Sequence, residues 1–183
     1  MNSSYTSKID FGDIISTITF LKNPKKIVEF GILEGFSLTK FVENSNKTTS
    51  IDAYDIFDKF NGNHAVKDKL DNIFNKYPNV NIQEVDFYEG FKKYPDKSID
   101  ILHIDIANNG DVYQFVFDNY IQKIADNGII LMEGGSEKRD NIEWMIKYNK
   151  PKIQPVLEKY KDKYNIKVIG GFPSLTIIKN KII

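Results

Sequence analysis

Cysteine is absent from the 183 residues. Its absence excludes disulfides, thiolate metal sites, iron–sulfur clusters and cysteine nucleophiles, and leaves packing to hold the fold. No apolar run approaches the ~18 residues needed to cross a bilayer. The polar segment Met1–Asp10 carries no apolar core ahead of a cleavage site, so the expectation is a cytoplasmic chain with no membrane partner. Net charge is missing as well: 25 basic residues balance 25 acidic ones, which argues against a partner held by bulk charge. Arginine is nearly absent, with Arg139 alone beside 24 lysines, and no arginine-rich nucleic-acid surface is expected. What is present, 41% hydrophobic and 27% charged residues, fits one compact domain over 1–183, with a leading helix in 1–23 and a core in 24–183.

Apolar spacing predicts an amphipathic helix from Ile9 to Leu21, capped by Ser7 or Asp10 and closed by Pro24. Lys25–Phe30 then reads as a strand ending at Gly31, and Phe36–Glu43 as a helix. The unit repeats. Strands are expected at Thr48–Asp52, Val80–Val85, Ile99–Ile106 and Ile129–Glu133, with helices at Asn63–Tyr77, Tyr88–Tyr94 and Val112–Ile124 between them. Asp140–Tyr148 and Pro155–Tyr164 look helical. Ile166–Gly170 and Leu175–Ile178 are too close for a parallel crossover and read as an antiparallel hairpin. Short apolar strands alternating with helices predict an α/β chain: a doubly wound, mostly parallel seven-stranded sheet with helices on both faces and a C-terminal antiparallel hairpin.

Ligands of such sheets gather at the carboxyl ends of the strands, where the strand order reverses. Each parallel strand ends in or beside a carboxylate: Glu29, Asp52, Asp86, Asp105 and Glu133. Gly31 and Gly35 allow a tight turn and close ligand approach at a helix N-terminus, although the loop is neither a full G-x-G-x-x-G nor a Walker loop. Asp52, about twenty residues on, is spaced to accept ribose hydroxyls, whereas Asp55 reads as a turn residue. Asp86 suits an adenine amino group beside Phe87, and is equally a helix N-cap.

In these residues the chain resembles the class I S-adenosylmethionine-dependent methyltransferases, in particular the macrocin O-methyltransferase-like small-molecule branch. The resemblance runs from about Lys25 to Ile178 and rests on Val28–Ser37, Ser50–Tyr54, Asp100–Asp105 and Ala125–Glu133. It implies a Rossmann-like fold and S-adenosylmethionine as cofactor. Glu29, Gly31, Glu34, Gly35 and Ser37 would lie at the methionine part, Asp52 and Ala53 at the ribose, Asp86 and Phe87 at the adenine, and Asp105 near the sulfonium. Methyl transfer to a small-molecule hydroxyl is the implied activity, with a homodimer as a further expectation.

Relatives in that branch follow the fourth-strand motif with glycine, another residue and a histidine, and close the fifth strand with His-Asp or Asp-Asn. Here the stretches read Ile106-Ala107-Asn108-Asn109 and Glu133-Gly134-Gly135. Asp105, Glu133 and His103 are the catalytic candidates. Asp105 and Glu133 are also the candidate ligands of a Mg²⁺, with a carbonyl from Asn108 or Asn109. His103 shares a strand face with Asp105 and reads equally as a satisfied core histidine. A hydroxylase-like activity and a non-catalytic cofactor-binding role are the alternative functions.

Overall fold

The structure, a computed structural model, describes residues 9–59 and 62–181. Ser7 lies outside them, and the cap of the first helix is Asp10. Its carboxylate accepts from Gly12 N at 2.7 Å and opens α1 (Phe11–Lys22). Asn23, at φ 48°, closes the helix in the left-handed region by donating its N–H to Thr19 O, and Pro24 prevents continuation.

Seven strands follow: β1 (Lys26–Phe30), β2 (Ser50–Asp55), β3 (Val80–Glu84), β4 (Ile99–Ile104), β5 (Ile124–Glu133), β6 (Tyr164–Gly170) and β7 (Ser174–Asn180). They form one sheet in the order β3-β2-β1-β4-β5-β7-β6. The first five are parallel, and β7 runs antiparallel to both β5 and β6. The expected doubly wound sheet with its terminal hairpin is therefore present. Both faces are apolar because neighbouring residues of one strand enter different cores. Ile27, Ile51, Ile101 and Leu131 pack with Leu38 and Phe41 of α2 (Phe36–Asn44). Val28, Leu102, Ile104 and Ile130 pack on the other side with Tyr113 and Tyr120.

Several elements depart from the sequence reading. β2 runs on through Ala53-Tyr54-Asp55, because Phe30 of β1 pairs with Tyr54 and Gly31 N donates to Tyr54 O at 2.8 Å. α3 is only Lys67–Phe74. α4 (Phe87–Gly90) is one turn capped by Asp86. α5 (Gly110–Phe115) begins two residues early and widens into a π-turn over Val116–Tyr120. β5 already begins at Ile124, with a register shift against β4 between Ile99 and Ile101 that sends Asp126 and Asn127 to solvent. The expected helix at Asp140–Tyr148 is two, α6 (Glu137–Asp140) and α7 (Glu143–Lys147). They separate where the Asp140 carboxylate turns to accept Ile153 N and Gln154 N, both at 2.8 Å, at the start of α8 (Gln154–Tyr160).

At the opposite edge from the strand carboxyl ends, Asp100 ties three elements together. It accepts Lys25 N at 2.8 Å, Lys26 N at 3.0 Å and Lys22 Nζ at 3.3 Å. Burial alone would raise its pKa, but the two N–H donors and the Lys22 ammonium outweigh it and hold the carboxyl below its ordinary value. A carboxyl depressed in the folded state adds stability above its unfolded pKa and loses it as pH falls through the folded value. Wild type is therefore expected to lose stability below the usual carboxylate range by denaturant unfolding, and Asp100→Asn to flatten that limb. Tyr120 donates to Phe87 O at 2.6 Å inside the core. Tyr120→Phe, which removes that hydrogen bond, is expected to cost about 1 kcal/mol in the same measurement.

Candidate active site

Across the sheet β1 and β4 are neighbours, yet the chain leaves β1 toward β2 on one side and leaves β4 toward β5 on the other, so the connections diverge and open a crevice at their carboxyl ends. A cavity of about 720 Å³ lies there. Its floor comes from Phe30, Gly31, His103 and Asp105. One wall is formed by the loop Ile32–Glu34 with Phe36 and Ser37, and another by Tyr54, Asp55, Asn63, Asp86 and Phe87. Asn109, Val112, Glu133 and the hairpin residues Pro173–Leu175 complete it.

The loop after β1 is wound by three left-handed residues, Gly31 at φ 88°, Leu33 at φ 50° and Gly35 at φ 85°. A Cβ on Gly31 would stand 2.0 Å from Asp105 O, so only glycine lets the ends of β1 and β4 come this close. Gly35 gives no side-chain cap to α2, which leaves the first N–H groups of that helix available at Phe36 and Ser37. Gly35 itself packs toward Phe74 rather than the cavity.

Behind this loop a polar cluster is buried in the core. Glu29 and His103 are register partners on β1 and β4, and His103 Nδ1 lies 2.8 Å from Glu29 Oε1. The Ser37 hydroxyl donates to the same oxygen. Glu29 is 0% exposed, and among the described residues its Oε2 has no hydrogen-bond partner. Burial alone would depress the His103 pKa, but the Glu29 hydrogen bond and charge, helped by Asp105, raise it above its ordinary value. His103 is thus both a satisfied core histidine, edge-on to Phe41, and part of the cavity lining.

Asp52 is not in the cavity. With β2 extending to Asp55, Asp52 is a mid-strand residue whose carboxylate pairs with Lys26 and accepts from Tyr94 Oη at 2.7 Å. Ala53 is closed within the core. The acid at the end of β2 is Asp55, 7% exposed, which accepts Ile32 N and Phe57 N at 2.9 Å and Asn63 Nδ2 at 2.6 Å. It joins the first loop to the second, and a longer strand reading, justified by the β-favouring Tyr54, would have found it. Asp86 lines the cavity while capping α4 through Tyr88 N at 2.9 Å. Phe87 touches the cavity, but its ring is stacked on Tyr120 at 5.1 Å, so Tyr88 is the more exposed aromatic of that wall.

Asp105 and Glu133 both face the cavity and differ in their surroundings. Asp105 is exposed to it, and among the described residues no side chain donates to its carboxylate. Glu133 is engaged on both oxygens by Arg139, Nε to Oε1 at 2.7 Å and Nη2 to Oε2 at 3.0 Å. Burial raises the Glu133 pKa and the Asp105 charge adds to it, with Arg139 opposing both. Among the described residues no group of three or more His, Asp or Glu is arranged to hold a metal ion, and the donor set does not fit the expected Mg²⁺. Glu34 is at the rim, with its carboxylate 3.8 Å from Lys69 Nζ. His64 and Lys150 are also rim residues.

A family model described as a methyltransferase domain matches residues 28–133, from the middle of β1 to the end of β5. A search of curated proteins finds no match. Solved structures share the fold at low identity. A methyltransferase from Geobacter sulfurreducens has a TM-score of 0.68 at 14% identity, covering 96% of this chain and 80% of that one. The SAH-bound methyltransferase PaMTH1 of Podospora anserina has a TM-score of 0.67 at 17% identity, with coverages of 97% and 80%. An O-methyltransferase from Bacillus cereus in complex with SAH has a TM-score of 0.68 at 13% identity, with coverages of 98% and 84%. With more than half of its length matched by the family model, and the crevice of that fold open between β1 and β4, the chain belongs to the methyltransferase domain family.

Proposed function

We propose that the protein is an S-adenosylmethionine-dependent methyltransferase that acts in the cytoplasm on a small-molecule hydroxyl, as in the macrocin O-methyltransferase-like branch. The observation that carries this reading is the cavity at the β1–β4 crevice, whose polar groups are distributed as the cofactor requires. Its volume of about 720 Å³ leaves room for a compact acceptor beside a nucleoside-sized ligand. The uncapped N-terminus of α2 suits a carboxylate. Ser37, which lines the cavity and donates to the buried Glu29 carboxylate behind it, suits a polar contact to the methionine part. Asp55 is placed to take ribose hydroxyls, and Asp86, Tyr88, Ile56 and Val85 surround the space for adenine.

When bound, the cofactor supplies an electrophilic methyl group on its sulfonium. The protein's share is positioning, exclusion of water and proton transfer. Phe30, Ile106 and Val112 supply apolar lining to the cavity. Asp105, whose carboxylate receives no hydrogen bond among the described residues, accepts the proton of the attacking hydroxyl. Glu133, held by Arg139, presents a fixed negative edge to the acceptor.

Calorimetric titration with S-adenosylhomocysteine tests the cofactor assignment. Wild type is expected to bind, Asp55→Ala to lose about 1–3 kcal/mol of affinity, and Asp52→Ala to keep its affinity while losing thermal stability. A silent wild-type titration would overturn the cofactor reading, whereas binding without methyl transfer to any acceptor would favour the non-catalytic cofactor-binding alternative. Asp105→Asn is expected to retain binding while losing about 10²–10⁴-fold in methyl transfer from labelled cofactor to a panel of small hydroxyl acceptors. Undiminished transfer in that variant would remove Asp105 as the base.

A further inference from the structure

Only one of the 25 basic residues is an arginine, and it is buried, 6% exposed, behind the acceptor end of the cavity. The guanidinium makes two near-parallel bonds to the Glu133 carboxylate and a third, from Nη2, to Asn108 O at 3.1 Å. A lysine ammonium at this position could not engage both carboxylate oxygens in that fork geometry. The backbone is built to deliver it. Gly134 and Gly135, at φ 100° and 102°, reverse the chain straight after β5, and Ser136 Oγ accepts Arg139 N at 3.0 Å to start α6. A Cβ on Gly135 would stand 2.0 Å from Thr176 Oγ1, and one on Gly134 2.9 Å from Ile153 Cδ1. Asn108 braces the same corner, its Nδ2 donating to Ile104 O and to Glu133 O, both at 2.9 Å.

The oxygens that Arg139 engages are the Glu133 carboxylate and the Asn108 carbonyl, which with Asp105 are the donors a divalent ion would require at this corner. We propose that Arg139 is a built-in cation that replaces a metal at the acceptor end of the cavity, so that the site works without divalent ions and Arg139 serves as the positioning residue for Glu133. A Mg²⁺ entering there would have to displace a buried guanidinium and leave its charge unpaired, a costly exchange for an ion that also holds its water shell tightly. The glycine pair after Glu133 has the matching role: it gives up a side chain beside the acid and supplies the turn that brings the arginine back. The inference rests on the methyltransferase reading only in naming this the acceptor end.

The test is titration of the full-length chain with Mn²⁺, followed by electron paramagnetic resonance, beside calorimetry with Mg²⁺. Wild type is expected to show no saturable uptake, and its S-adenosylhomocysteine affinity to be unchanged by chelator or by added Mg²⁺. Arg139→Met, which frees both Glu133 oxygens, is expected to gain Mn²⁺ uptake by about tenfold or more, and the added change Asp105→Asn to abolish that gain. Arg139→Lys keeps the charge and is expected to stay as indifferent to Mn²⁺ as wild type. Saturable wild-type binding that Glu133→Gln removes would overturn the proposal, as would a folded Arg139→Met chain with no gain. If Arg139→Met does not fold, the comparison of wild type with Glu133→Gln decides alone. Failure of S-adenosylhomocysteine to bind would sink the cofactor reading and leave the Mn²⁺ result standing.

Discussion

The carbonyl of Asp105 occupies the place where a side chain on Gly31 would begin, 2.0 Å from the position of its Cβ. Asp105 N in turn donates to Phe30 O at 2.9 Å, so the two strand ends are joined at the point where their onward connections diverge. Every feature of the site depends on that close approach. It holds the first loop in a left-handed turn, aims the N-terminus of α2 at the crevice, and sets Asp105 at the floor. A larger residue at position 31 would force β1 and β4 apart or drive the loop into the crevice.

Around this junction the protein buries charge in two places and satisfies it differently. Glu29, His103 and Ser37 share a single carboxylate oxygen and leave the other without a donor. Such an orphan acceptor is a cost to the isolated fold that an incoming donor offsets. At the end of β5, Glu133 is instead engaged on both oxygens by Arg139. Among the described residues both clusters keep buried atoms without a partner, Glu29 Oε2 in the first and Arg139 Nη1 and Asn108 Oδ1 in the second.

The repeating strand-and-helix pattern was legible because apolar strands buried on both faces leave uninterrupted runs, as in Ile27-Val28 and Ile101-Leu102, each pair divided between the two cores. Gly31, Asp105, Glu133 and Ser37 line the cavity because they stand at strand ends or at the helix start, positions that the sequence pattern marks. Asp52 was misplaced because local pattern does not register strand against strand. Val28 opposite Asp52 and Phe30 opposite Tyr54 carry β2 three residues further, and with it the acid that reaches the cavity. The split between α6 and α7 was invisible for a similar reason: Asp140 leaves the helix to bond Ile153 N and Gln154 N, thirteen and fourteen residues away.

By itself the sequence determined the class of fold, the parallel sheet with its closing hairpin, and which strand ends carry carboxylates, because period and composition are properties of consecutive residues. The choice between Asp52 and Asp55, the burial of His103 against Glu29, and the pairing of the lone arginine with Glu133 were decided only by tertiary structure. Each depends on register between strands or on a chain reversal that brings distant groups within hydrogen-bond reach. A hydrogen bond is a condition on distance and angle in space, and spacing along the chain does not contain it.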